Sequence, residues 1–109
     1  MHIISDESNP PWKIWEEYER ITIGSREYAK VGKRLYTRHT VERTYPAIMG
    51  GRSIAPGFIE DAIRTGTTRK VTVNGVERTI HTSGTVQVIT EQDGNIVVTV
   101  NPFSGGQLK

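Results

Sequence analysis

Cysteine is missing from all 109 residues. That excludes a disulfide scaffold, a thiol nucleophile and any thiolate metal site. Long apolar runs are missing as well. No stretch approaches the roughly 20 residues that a membrane span needs, and there is no secretory signal core, so no stable membrane association is expected. Apolar residues reach only 35%, which limits the core, while an ordinary 24% of charged residues argues against global disorder. Internal repeats and low-complexity tracts are absent. So is a glycine-rich phosphate loop ending in Lys-Ser/Thr; Met49-Gly50-Gly51-Arg52 is a flexible basic loop. Ser83 stands in a turn without the strand–turn–helix context of a nucleophile elbow. Glu42, Glu60 and Asp61 show no metal-ligand spacing and read as solvated helix faces, so neither a metal site nor a cofactor is expected.

What is present fits one domain. Residues 1–11 are polar, end in two prolines and read as a linker or loose start. Residues 12–109 then form a single domain. Charge is unevenly spread over a net +2: residues 1–19 carry −4, residues 20–78 carry +7 and residues 79–109 carry −1. A basic middle of this kind suits a polyanionic partner.

Helical spacing begins at Trp12, with Trp15 and Glu19 on the same side, and predicts an N-terminal helix. Residues 26–36 predict a hairpin turning at Gly32-Lys33. Thr37 is a candidate N-cap for a helix from Arg38 to Tyr45, ended by Pro46. A second helix follows, with Pro56 near its start and Gly66 at its end.

After Gly66 the apolar period changes to two. Asn74-Gly75 is the strongest short hairpin signal. Three-residue loops at Thr82-Ser83-Gly84 and Gln92-Asp93-Gly94 would complete a meander. In that register Val71, Val73, Val76, Ile80, Val86, Val88, Ile96, Val98 and Val100 share one face. Lys70, Thr79, His81, Thr85, Gln87, Ile89, Val97 and Thr99 share the other. The predicted fold is therefore α+β, with N-terminal helices packed on one face of a four-stranded antiparallel meander.

Two histidines stand within these elements. His39 precedes Arg43 by four residues, so the two share a helix face. His81 lies on the polar strand face. A pair of histidines with nearby cations is what metal-free RNA cleavage uses. One base removes the 2′-OH proton, one acid protonates the leaving 5′ oxygen, and a cation stabilises the phosphorane. Arg38, Arg52, Lys70, Thr79 and Gln87 are candidate RNA-binding neighbours.

The runs TRHTVER, GGRSIAPGFIEDAIRTG and VNGVERTIHTSGTVQVITEQDGNIVVTVNP resemble the C-terminal toxin domains of bacterial polymorphic and contact-dependent growth inhibition systems. They are similar to the barnase–EndoU–colicin–RelE group of RNase folds, over about residues 27–103. The resemblance implies a metal-independent ribonuclease toxin that cuts tRNA. It implies a domain released from a large secreted effector and acting in the cytoplasm of a neighbouring bacterium. It also implies a cognate immunity protein, and a translation elongation factor as a further docking partner. The family's helix His and Arg fall on His39 and Arg43, and its strand positions on His81 and Thr99. An exposed Trp15 or Tyr28 would offer the immunity protein an apolar patch. The alternative reading is a non-catalytic RNA- or protein-binding module of a toxin–antitoxin system.

Overall fold

The computed structural model describes residues 12–102, so the segment expected to be a linker, 1–11, lies outside the described residues. The chain opens with one 3₁₀ turn at Trp15–Glu17. It continues through β1 (Arg20–Ile23), β2 (Arg26–Val31), β3 (Arg34–Thr37) and α1 (Arg38–Arg43). A second 3₁₀ turn at Ala47–Met49 precedes α2 (Pro56–Thr65). Four strands follow: β4 (Thr67–Val73), β5 (Val76–Ser83), β6 (Val86–Glu91) and β7 (Ile96–Pro102).

All seven strands join one sheet in the order β1-β2-β3-β7-β6-β5-β4. This overturns the expected α+β arrangement of N-terminal helices on a four-stranded antiparallel meander. The C-terminal strands do neighbour one another antiparallel, but they form only part of a larger mixed sheet. β3 pairs parallel to β7 through Leu35–Ile96 and Tyr36–Val97 and welds the N-terminal strands to the meander. The two α-helices are short, six and ten residues.

The expected N-terminal helix is replaced by the first 3₁₀ turn and the β1–β2 hairpin. Trp15 and Tyr18 are three residues apart, a spacing that also stacks side chains on a 3₁₀ turn. The run Ile21-Thr22-Ile23 then favours a strand, and Gly24 turns the chain at φ 63°.

The meander's register also departs from expectation, because a two-residue turn joins β5 to β6. Gly84, at φ 57°, takes the first turn position, as a II′ hairpin requires, and Ser83 faces Val86 directly. His81 therefore lies opposite Val88, and Ile80 opposite Ile89. That reverses the faces expected for β5: His81 turns inward and Ile80 outward. At β7 an irregularity skips Val98, so Val97 and Val100 both reach the core while Thr99 lies opposite Ile89.

One face of the sheet carries the core. Val31, Tyr36, Val88, Val97 and Val100 pack there against Trp15, Val41, Ile54 and Ile59. α2 lies over β5 and β6, and α1 against β7 and β3. Trp15 and Tyr28 are both buried, so neither supplies the surface patch considered for an immunity protein. Among the described residues no helix is long and apolar enough to cross a membrane.

Candidate functional site

α1 begins where β3 ends. The Thr37 hydroxyl accepts a hydrogen bond from the Thr40 backbone N–H at 3.1 Å and caps the helix. The helix is tied down from below. The Thr37 hydroxyl donates to the Val98 carbonyl at 2.8 Å, and that of Thr40 to Val97 at 3.1 Å. Burial of Thr40 and Val41 leaves His39 on the exposed side. Arg43, one turn on, donates from Nε to His39 Nε2 at 3.0 Å. That bond requires an unprotonated Nε2, so the ring in this arrangement is neutral with its proton on Nδ1.

The chain after α1 folds back on it. The Arg52 backbone N–H donates to the Arg43 carbonyl at 2.9 Å, and that of Ser53 to Tyr45 at 2.8 Å. Gly51 sits so tightly against the Tyr45 carbonyl that no Cβ fits there. This close approach brings Arg52 beside Arg43. His39, Glu42, Arg43, Gly50 and Arg52 together line an open recess of about 230 Å³. Glu42 does not cancel both arginines, because it pairs with Arg38 at 2.9 Å. A recess with two guanidinium groups and a neutral imidazole can hold a phosphate and take a proton from a neighbouring hydroxyl.

The other expected site residues lie elsewhere. His81 is 6% exposed, on the core face of β5, the strand over which α2 packs. Its Nε2 shares a 2.8 Å hydrogen bond with the Thr90 hydroxyl, and its buried Nδ1 has no partner. Burial, and then the nearby Arg34 cation, lower its pKa below the ordinary value. Thr99 lies on the sheet face away from the helices, level with Ile89, and Gln87 shares that face opposite Asn101. Lys70 and Thr79 line a separate recess with Glu77 and Glu91, and Lys70 stands 3.9 Å from Glu77. Arg38 is held by Glu42 and lies over the Trp15 ring, 5.5 Å from its centre. The structure thus brings His39, Arg43 and Arg52 together and separates them from His81, Thr99, Lys70, Thr79 and Gln87.

A buried ion pair escaped sequence reasoning. Glu60, expected on a solvated face, is 2% exposed and makes a two-pronged pair with Arg34, at 2.7 and 2.8 Å. Arg34 also donates to the Gly94 carbonyl at 2.8 Å. Tyr36 is buried with an unpartnered hydroxyl, and burial, reinforced by the Glu60 charge, raises its pKa. The available signal was the helical position of Glu60, one residue from the core Ile59, which marks it as the edge of a buried stripe.

Among the described residues no cluster of three or more His, Asp or Glu is arranged to hold a metal ion. Compared with known proteins, the chain matches no family model, and neither a curated protein nor a solved structure shows significant similarity to it.

Proposed function

We propose that this chain is a ribonuclease domain of the bacterial toxin type that cuts tRNA and is held in check by an immunity protein. The observation supporting it most is the convergence of His39, Arg43 and Arg52 in one open recess. Arg43 and Arg52 hold the phosphodiester through charge-assisted hydrogen bonds. As Arg43 turns to the phosphate it releases His39 Nε2, which takes the proton from the adjacent 2′-OH. The 2′ oxygen bonds to phosphorus and the bond to the 5′ oxygen breaks. A 2′,3′-cyclic phosphate forms, and the leaving 5′ oxygen takes a proton from water. His81, buried on the core face of β5, has no part in this scheme. A single histidine replaces the expected pair, and the reaction is correspondingly slower than a two-histidine enzyme allows. Delivery in a large secreted effector, action in the cytoplasm of the target bacterium and docking on an elongation factor extend the same reading.

The burial of His81 also favours the second reading, a non-catalytic RNA-binding module. Incubation of the protein with total tRNA in EDTA separates the two. Cleavage that falls 10²–10⁴-fold in His39→Ala, the usual contribution of a general base, supports the enzyme. Intact RNA with a gel shift supports the binder. Cleavage abolished by EDTA in the wild type overturns the metal-free mechanism.

A further inference from the structure

A second recess backs onto the first. Trp12, Thr44, Pro46, Ser53 and Ala55 line about 270 Å³ of open space. Trp12 is 44% exposed, which is unusual for so large an apolar ring, yet it is held in place. Its Nε1 donates to the Thr44 carbonyl at 3.2 Å, and its ring stands edge-on to Tyr45, with centroids 6.1 Å apart at 74°. The ring is thus fixed on one side by Tyr45 and still partly open to solvent. At the rim, the Ser53 hydroxyl accepts from the Ala47 backbone N–H at 3.0 Å, which leaves its own hydrogen to donate.

The two recesses are built from one ladder. Residues 43–45 run beside 52–53, joined by the bonds from Arg52 to Arg43 and from Ser53 to Tyr45. Arg43 and Arg52 line the cationic recess, while their immediate neighbours Thr44 and Ser53 line the aromatic one. Consecutive Cα atoms are about 3.8 Å apart, so the two spaces share a single wall. An anion site and a fixed, half-open indole this close match the two unlike halves of a nucleotide. A lone phosphate would leave the indole idle, and an apolar peptide would leave the arginines uncompensated.

We infer that the Trp12 recess is a nucleobase subsite, which receives an unpaired base of a single-stranded RNA whose phosphate lies between Arg43 and Arg52. This rests on the RNA reading of the cationic recess. Stacking on Trp12 takes any base by its face, and the Ser53 hydroxyl donates to a ring nitrogen or carbonyl at its edge. Duplex RNA keeps its bases stacked inside and does not enter.

The test uses the whole chain and two uncleavable ligands: a 2′-O-methyl ribonucleotide hexamer and its fully abasic counterpart, compared by fluorescence anisotropy. The intact hexamer should bind at least tenfold more tightly than the abasic one, as expected of base–aromatic stacking. Trp12→Ala should erase that difference without weakening abasic binding, and Trp12→Phe should restore most of it. Arg43→Ala and Arg52→Ala should weaken both ligands alike. Equal affinity of wild-type protein for the two hexamers would overturn the base subsite and leave the phosphate reading standing. So would a base preference that survives in Trp12→Ala, and the recess would then be left to a protein partner. Failure to bind either hexamer would overturn the RNA reading itself. The comparison of the two ligands needs no substitution, so it stands even if a variant misfolds.

Discussion

At His81 a polar ring occupies a place in the core. Its partners are the Thr90 hydroxyl on one nitrogen and no hydrogen-bonding group on the other. Desolvation and the Arg34 charge make the folded ring harder to protonate than the free one. In the unfolded chain the same ring charges near its ordinary value of about 6.5. Below that pH the unfolded state binds more protons than the folded state, so acid favours unfolding. Above it both states hold the ring neutral and this contribution to stability is fully present. The urea midpoint should therefore fall as pH drops from about 7 toward 5, before the carboxylates titrate. His81→Gln, which keeps an amide within reach of Thr90, should flatten that slope. An unchanged slope in the variant would assign the pH dependence to other groups.

Among the elements, α2 is fastened by more than its apolar stripe. Arg34 on β3 reaches Glu60 on α2 and the Gly94 carbonyl between β6 and β7, so one guanidinium clasps three segments. With side-chain exposures of 11% and 3%, neither charge can be well hydrated alone. Removing one leaves the other stranded, which for buried pairs costs about 3–5 kcal/mol. Glu60→Gln should lower the melting temperature by roughly 10 °C or more in a domain of this size. Replacing both residues, as Arg34→Met with Glu60→Leu, should cost much less. If the double variant melts as early as the single one, packing of these side chains rather than stranded charge explains the loss.

The same scale shows what could be read in advance. Asn74-Gly75 requires two left-handed residues and has them, at φ 52° and 81°. Thr37 was legible as a cap because a hydroxyl before a helical run has a local partner. Pro56 and Gly66 likewise bracket α2. The face assignment of β5 was not legible, because it hangs on one residue more or less in the turn at Gly84. A single-residue change there inverts every side chain of the strand and carried His81 from the expected open face to the core. The recess around His39 was half legible: the four-residue spacing gives Arg43, but Arg52 arrives through the fold-back that Gly51 permits, which no periodicity announces.

For the whole molecule, the decisive contact is long in sequence. β3 meets β7 through pairs about sixty residues apart, and α1 rests its threonine hydroxyls on the carbonyls of Val97 and Val98. The N-terminal strands alone lack the carbonyls to which Thr37 and Thr40 bond. A chain ending at Asn95 should lack a cooperative unfolding transition and should not bind RNA, as checked by circular dichroism and anisotropy. A truncated chain that still melts sharply and binds would show that α1 is held by β2 and β3 alone. Non-local pairing of this kind also makes for slow folding.

The parallel joint sets a clock. Synthesis runs in chain order, and β7 is the last strand of the sheet to be made. While that strand is still in the ribosome's exit tunnel, the helix that bears His39 and Arg43 lacks the Val97 and Val98 carbonyls that tie it down. The recess of His39, Arg43 and Arg52 is therefore the last part of the fold to be secured, after every other strand of the sheet has left the ribosome.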